Sequence, residues 1–96
     1  MKESVFQTEF RKDLEALFPG CLVCKLDSSY RQGVPDLVMF WKDRWATFEV
    51  KRSYRYTAQP NQIHFVNLMD SMSFSAFVYP ENKEEVLDAI LTAFRV

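Results

Sequence analysis

The apolar positions divide the chain into seven segments. Over residues 4–18, Phe6, Phe10, Leu14 and Leu17 recur at the intervals that gather side chains on one face of a helix. Ser4 is the expected N-cap, and Pro19-Gly20 the stop. Residues 21–26 form a short apolar run that predicts a strand, and residues 27–35 are polar, carry Gly33 and Pro35, and predict a loop. Residues 36–41 (DLVMFW) and 45–51 (WATFEVK) predict two strands joined as a hairpin by Lys42-Asp43-Arg44.

Residues 52–59 are polar, aromatic and irregular. Pro60 then suits a first helical turn, and Ile63, Phe65, Val66 and Met69 continue an apolar pattern to about Met72. Residues 74–79 (FSAFVY) alternate as a strand does. Asn82 with Glu85 has capping-box spacing ahead of a closing helix whose apolar face is Val86, Leu87, Ile90, Leu91 and Phe94. The order α-β-β-β-α-β-α, without repeats or an internal linker, predicts one α/β domain over residues 1–96, a small mixed sheet flanked by helices.

Composition supports this picture. Hydrophobic residues make up 48% and aromatics 16%, enough for a core, while two Gly and four Pro exclude a low-complexity or disordered chain. Residues 1–10 lack the apolar run of a signal peptide, and no stretch has the length of a membrane helix, so a cytoplasmic, membrane-free protein is expected. Cys21 and Cys24 stand three apart on the first strand, hence on opposite faces, which suits neither zinc nor a redox pair. His64, the one histidine, is more simply a helix residue than a base. Phe40, Trp41, Trp45 and Phe48 read as core or dimer contacts.

The net charge of −1 argues against a nucleic-acid ligand until it is mapped. Residues 25–55 hold seven Lys+Arg against four acids, a surplus of three, and the remainder carries −4, mostly in the terminal helices. A basic middle on an acidic chain fits a small basic face with repelling surroundings.

Within that middle, Glu49 and Lys51 are two apart on a strand and share a face, while Phe48 and Val50 face the other way. Alone they could be a plain ion pair. Asp36 opens the preceding strand, and a hairpin about Lys42-Asp43-Arg44 brings it near Glu49 at one sheet end. Two converging carboxylates repel unless a cation lies between them, and oxygen ligands of this kind suit Mg²⁺.

Pro35-Asp36, twelve intervening residues, then Glu49-Val50-Lys51 resembles the core of the PD-(D/E)XK nuclease superfamily, a restriction-endonuclease-like fold. The fuller run from Gly33 to Leu37, with Phe48 to Lys51 and the Gln62 helix, is similar to its VRR-NUC and Holliday-junction-resolvase-like branches and to small phage nucleases. The resemblance implies a Mg²⁺-dependent DNA endonuclease, with Mn²⁺ as a substitute, acting on branched or junction DNA. For a phage protein the setting would be the bacterial cytoplasm. It implies that Asp36, Glu49 and the Val50 carbonyl hold the metal, that Lys51 positions or activates water and stabilises the phosphorane, and that Gln62, which Gln59 could be confused with, contacts that water, Lys51 or a phosphate.

Such families add an acid from the first helix. Glu9, about 60 to 100° from the Phe6/Phe10/Leu14 stripe, is the expected one, with Glu3 and Asp13 as rivals. Ser28, Ser29, Tyr30, Arg31 and Gln32 are placed to touch the DNA backbone, and Arg52, Tyr54, Arg55 and Tyr56 read as a phosphate-tracking or base-stacking surface. So small a domain has little surface to grip a duplex, so a homodimer with two sites is expected, with Trp41 and Trp45 as candidate contacts. The alternatives are a non-catalytic nucleic-acid-binding module that keeps the fold, or a protein-interaction domain in which Glu49 and Lys51 are only an ion pair.

Overall fold

The computed structural model describes residues 1–95. Helix α1 (Glu3–Leu17) leads into β1 (Leu22–Lys25), β2 (Leu37–Trp41) and β3 (Arg44–Val50), then α2 (Pro60–Met72), β4 (Phe74–Val78) and α3 (Lys83–Ala93). The α-β-β-β-α-β-α order expected from the sequence is the order found. The four strands lie in the order β1-β2-β3-β4, antiparallel except for the parallel β3/β4 pair, across which α2 is the crossover.

Strand alternation sorts the sheet into two faces. Leu37, Met39, Ala46, Phe48, Val50 and Val78 turn to one side, where Phe6, Phe10 and Leu14 of α1 and Val86, Leu87 and Ile90 of α3 close the core. Phe10 meets Phe48 edge to face at 4.9 Å. Thr47, Glu49 and Ser75 turn to the other side, under α2. There the Thr47 hydroxyl bonds Ser75 at 2.8 Å, and Asp70 of α2 accepts the Ser75 N–H at 3.0 Å. Because α2 lies over β3 and β4, the same face of β1 and β2 stays open, and the cross-strand partners Leu22 and Phe40 are 59% and 47% exposed.

Several boundaries differ from the sequence expectation. The N-cap of α1 is Lys2, not Ser4, since the Phe6 N–H already bonds the Lys2 carbonyl at 3.1 Å. Asn82 occupies the N-cap of α3, but no capping box with Glu85 forms. Its side chain is committed to the turn after β4, accepting the Tyr79 N–H at 2.9 Å and donating to the Phe77 carbonyl at 3.1 Å. Leu91 is exposed rather than part of the buried face of α3, and only Val66 of α2 is fully buried. Trp41 is half-buried, packed on Phe18 at 5.0 Å with its indole N–H on the Pro19 carbonyl at 3.2 Å.

Candidate active site

The β2/β3 hairpin sets the first distances. Trp41 pairs with Arg44, so the loop is only Lys42-Asp43, with Lys42 at φ 57 in the left-handed region. The register runs back to Leu37 opposite Phe48, which puts Asp36 beside Glu49 one residue further on. Asp36 is stitched in from both sides. Its carbonyl accepts the Leu26 N–H at 2.8 Å, and its Oδ2 accepts the Val50 N–H at 2.9 Å.

The approach to Asp36 depends on Gly33. At φ +95 it holds a conformation side chains disfavour, and a Cβ there would meet Asn61 of α2 at 2.8 to 2.9 Å. The loop before the acid and the start of α2 therefore fit against each other only through a glycine. Pro35, fully buried, fixes the backbone in between.

Glu49 and Lys51 share the α2 face, as strand alternation requires, and Gln62 joins them. Lys51 Nζ lies 3.6 Å from Glu49 Oε2 and donates to Gln62 Oε1 at 3.0 Å. Gln62 Nε2 donates to the same Glu49 Oε2 at 3.2 Å, and its Oε1 also accepts the Gln59 N–H at 2.9 Å. One amide thus closes the start of α2, as the third residue of a capping box does, and ties the lysine to the glutamate. The Lys51 backbone is held as well, its N–H on the Val78 carbonyl of β4 at 2.8 Å.

The electrostatics follow from this crowding. Glu49 is 4% exposed, and burial first, then the Asp36 charge, push its carboxyl from the usual 4.5 up to about 7 against the pull of Lys51. Burial likewise raises Asp36, against the Val50 N–H and the charges of Lys51 and Lys25. The fold holds two carboxyls where neither ionises easily, with Lys51 beside Glu49 and Lys25 acting on Asp36.

The structure separates the first-helix acids. Glu3, in the first turn of α1, adds its charge to those that raise Glu49. Glu9 is not brought to the pair. It is exposed and acts with Asp13 on Lys83 of α3, which bonds Asp13 at 3.0 Å. Phe10 and Leu14 press α1 to the sheet, and Glu9 then falls toward α3, two turns beyond Glu3. Among the described residues no three His, Cys, Asp or Glu side chains gather as a metal cluster, so the carboxylate pair is what the site offers.

Around this centre, Ser28, Ser29, Gln32 and Gly33 face Gln59, Asn61 and Gln62 across a polar groove of about 310 Å³. Tyr30 and Arg31 stand exposed on the same loop, and Arg52 and Arg55 on the segment after Lys51. His64 is exposed and rests against Phe65, away from this hydrogen-bonded set. Cys21 and Cys24 are free, with the Cys21 thiol turned to the Leu14 carbonyl. Two participants escaped the sequence reading. Lys25 ends β1 beside Asp36, a placement that only the β1/β2 register reveals, and Glu81 binds the segment after Lys51 from 27 residues away.

Comparison with solved structures gives two matches of the same kind. One, described as a VRR_NUC domain, superposes with a TM-score of 0.72 at 25% identity over 90% of this chain and 94% of its own. The other, a VRR_NUC domain protein, has a TM-score of 0.69 at 15% identity over 98% of this chain and 88% of its own. No protein-family model and no curated protein matches. The chain has a VRR-NUC nuclease-like fold, part of the PD-(D/E)XK superfamily.

Proposed function

From this nuclease-type fold, we propose that the protein is a divalent-metal-dependent DNA endonuclease with Asp36, Glu49, Lys51 and Gln62 at its centre. The observation that carries the reading is the closed set of Lys51, Gln62 and Glu49 beside Asp36 at one end of the sheet.

The donor set fits a hard cation. One oxygen of each acid is engaged by the protein, Asp36 Oδ2 by the Val50 N–H and Glu49 Oε2 by Gln62 and Lys51. Asp36 Oδ1 and Glu49 Oε1 take none of these bonds and would hold Mg²⁺ or Mn²⁺, with the Val50 carbonyl as a further ligand. The two carboxyls, raised chiefly by burial, are a pair whose ionised form a cation would favour. Such an ion supplies a lowered pKa for water and a screen for the phosphodiester charge.

The protein's own groups do the positioning. Lys51 presents a compact cation for the charge that develops on phosphorus, and Gln62 fixes its direction. Gln62 is itself held by the Gln59 N–H, so the lysine is aimed through the backbone of α2. Glu3 takes the part of first-helix acid in this reading, the place the sequence suggested for Glu9. Ser28 and Ser29 in the polar groove, with Tyr30, Arg31, Arg52 and Arg55 beside it, offer donors for the phosphates of a strand. Branched or junction DNA is the proposed substrate, and cutting both strands calls for a homodimer.

The test is cleavage of labelled single-stranded, duplex, flap and junction DNA with Mg²⁺ or with chelator, with light scattering for the dimer. Metal-dependent cleavage, abolished in folded Asp36→Asn and Lys51→Met protein, is expected. Cleavage surviving in those variants removes the assignment. No cleavage of any substrate in Mg²⁺ or Mn²⁺ leaves a binding module on a nuclease fold.

A further inference from the structure

The segment between Lys51 and α2 alternates basic and aromatic groups, and the structure arranges them in pairs. The Arg52 guanidinium lies 4.3 Å from the centre of the Tyr56 ring, and that of Arg55 lies 5.8 Å from the Tyr54 ring. Tyr54 and Tyr56 remain 58% and 46% exposed, about what a ring covered on one side and open on the other retains. Tyr54 also leans on Tyr79, with ring centres 6.5 Å apart.

This segment is tethered rather than left to solvent. The Glu81 carboxylate accepts the Tyr54 N–H and the Ser53 hydroxyl, each at 3.3 Å, and Ser53 Oγ accepts the Arg55 N–H at 3.2 Å. The Tyr56 N–H closes a turn onto the Ser53 carbonyl at 3.2 Å. No acid occurs in the sequence between Glu49 and Asp70, and the carboxylate bonded to this segment is that of Glu81, from outside it. Here two rings are held open beside two guanidinium groups.

We propose that Tyr54 and Tyr56 are a stacking platform for unpaired DNA bases, with Arg52 and Arg55 binding phosphates of the same strand and Glu81 as the positioning residue. A guanidinium stacked on a ring keeps its N–H edge free for phosphate, so each Arg-Tyr pair can serve base and backbone together. Bases inside a duplex have both faces covered by their neighbours, so the platform selects a single-stranded stretch adjoining the centre at Lys51. This deepens the nuclease reading, on which its cleavage consequence rests, but the binding it describes needs neither metal nor catalysis.

The experiment is fluorescence anisotropy in EDTA with a labelled oligothymidylate of roughly 15 nucleotides and a blunt duplex of the same length. Tyr54→Leu and Tyr56→Leu should weaken oligothymidylate binding by roughly 5- to 100-fold and leave duplex binding unchanged, while Tyr54→Phe and Tyr56→Phe stay within about twofold of the parent. Glu81→Ala should weaken single-strand binding without a change in circular dichroism, and Glu81→Gln, which keeps an acceptor oxygen, should restore it. Unchanged oligothymidylate binding in the double Leu variant overturns the proposal, as does an equal loss for duplex. The two readings fail separately: cleavage with unaffected Leu variants removes the platform alone. Absent cleavage with weakened Leu variants removes the nuclease alone.

Discussion

Replacing Asp36 with asparagine should stabilise the metal-free protein, and should do so only above the pH at which the acids ionise. Glu49 titrates at about 7 in the fold against an ordinary 4.5, so folding favours its protonated form. A carboxyl raised in this way contributes most below the unfolded value, and stability declines as pH climbs from about 4.5 to about 7. At about 1.4 kcal/mol per unit, the whole cost of ionising Glu49 in place is about 3 kcal/mol. Burial is its largest cause and survives the substitution, while the Asp36 charge comes second. The Asp36 charge is the part the substitution removes, on the order of 1 kcal/mol. The asparagine oxygen can still accept the Val50 N–H that Asp36 Oδ2 takes at 2.9 Å, so little is lost in return. Urea unfolding in chelator at pH 5 and pH 8 measures this directly. The variant should gain about 1 kcal/mol at pH 8, some 4 to 8 °C in Tm, and less at pH 5, where the fold keeps Glu49 largely protonated. Under the proposed metal role, Mg²⁺ is expected to stabilise the parent and not the variant. A variant less stable than the parent at pH 8, or a gain that does not depend on pH, refutes the reasoning.

Three further outcomes follow from the same geometry. Gly33→Ala combines left-handed strain with a Cβ 2.8 to 2.9 Å from Asn61, and should cost about 2 to 3 kcal/mol in urea unfolding, part of it recovered by Asn61→Gly. Lys42→Gly, at φ 57 in the hairpin loop, should raise stability by about 0.5 to 1 kcal/mol, since glycine accepts that conformation without the penalty of a side chain. Glu3→Gln should change Mg²⁺ affinity in isothermal titration, and Glu9→Gln should leave it within error, because Glu3 acts on Glu49 and Glu9 on Lys83.

Legibility in the sequence followed the range of the forces involved. The seven elements were readable because burial imposes a period, 3.6 on Phe6, Phe10 and Leu14 and 2 on Phe48 and Val50. The pairing of Glu49 with Lys51 and the nearness of Asp36 were readable for the same reason, since a short hairpin fixes its own register. The surroundings of Glu9 were not legible, because a helical wheel gives the angle of a side chain and not which neighbour waits there. Lys83, on an element 70 residues later, claimed that edge of α1. Asn82 has the right spacing for a capping box, yet the turn after β4 recruited its amide first. Lys25 and Glu81 depend on pairings between distant segments, for which a single sequence holds no period at all.

The anchoring of Lys51 has a consequence for how the protein comes into being. Asp36 and Glu49 belong to a hairpin that can close from local sequence, but Gln62 Oε1 and the Val78 carbonyl, which fix the lysine, come later in the chain. The parallel β3/β4 pair is also the slowest kind of contact to make, because α2 must be laid down before β4 can dock. The assembled set of Glu49, Lys51 and Gln62 is complete only once the last strand has joined the sheet.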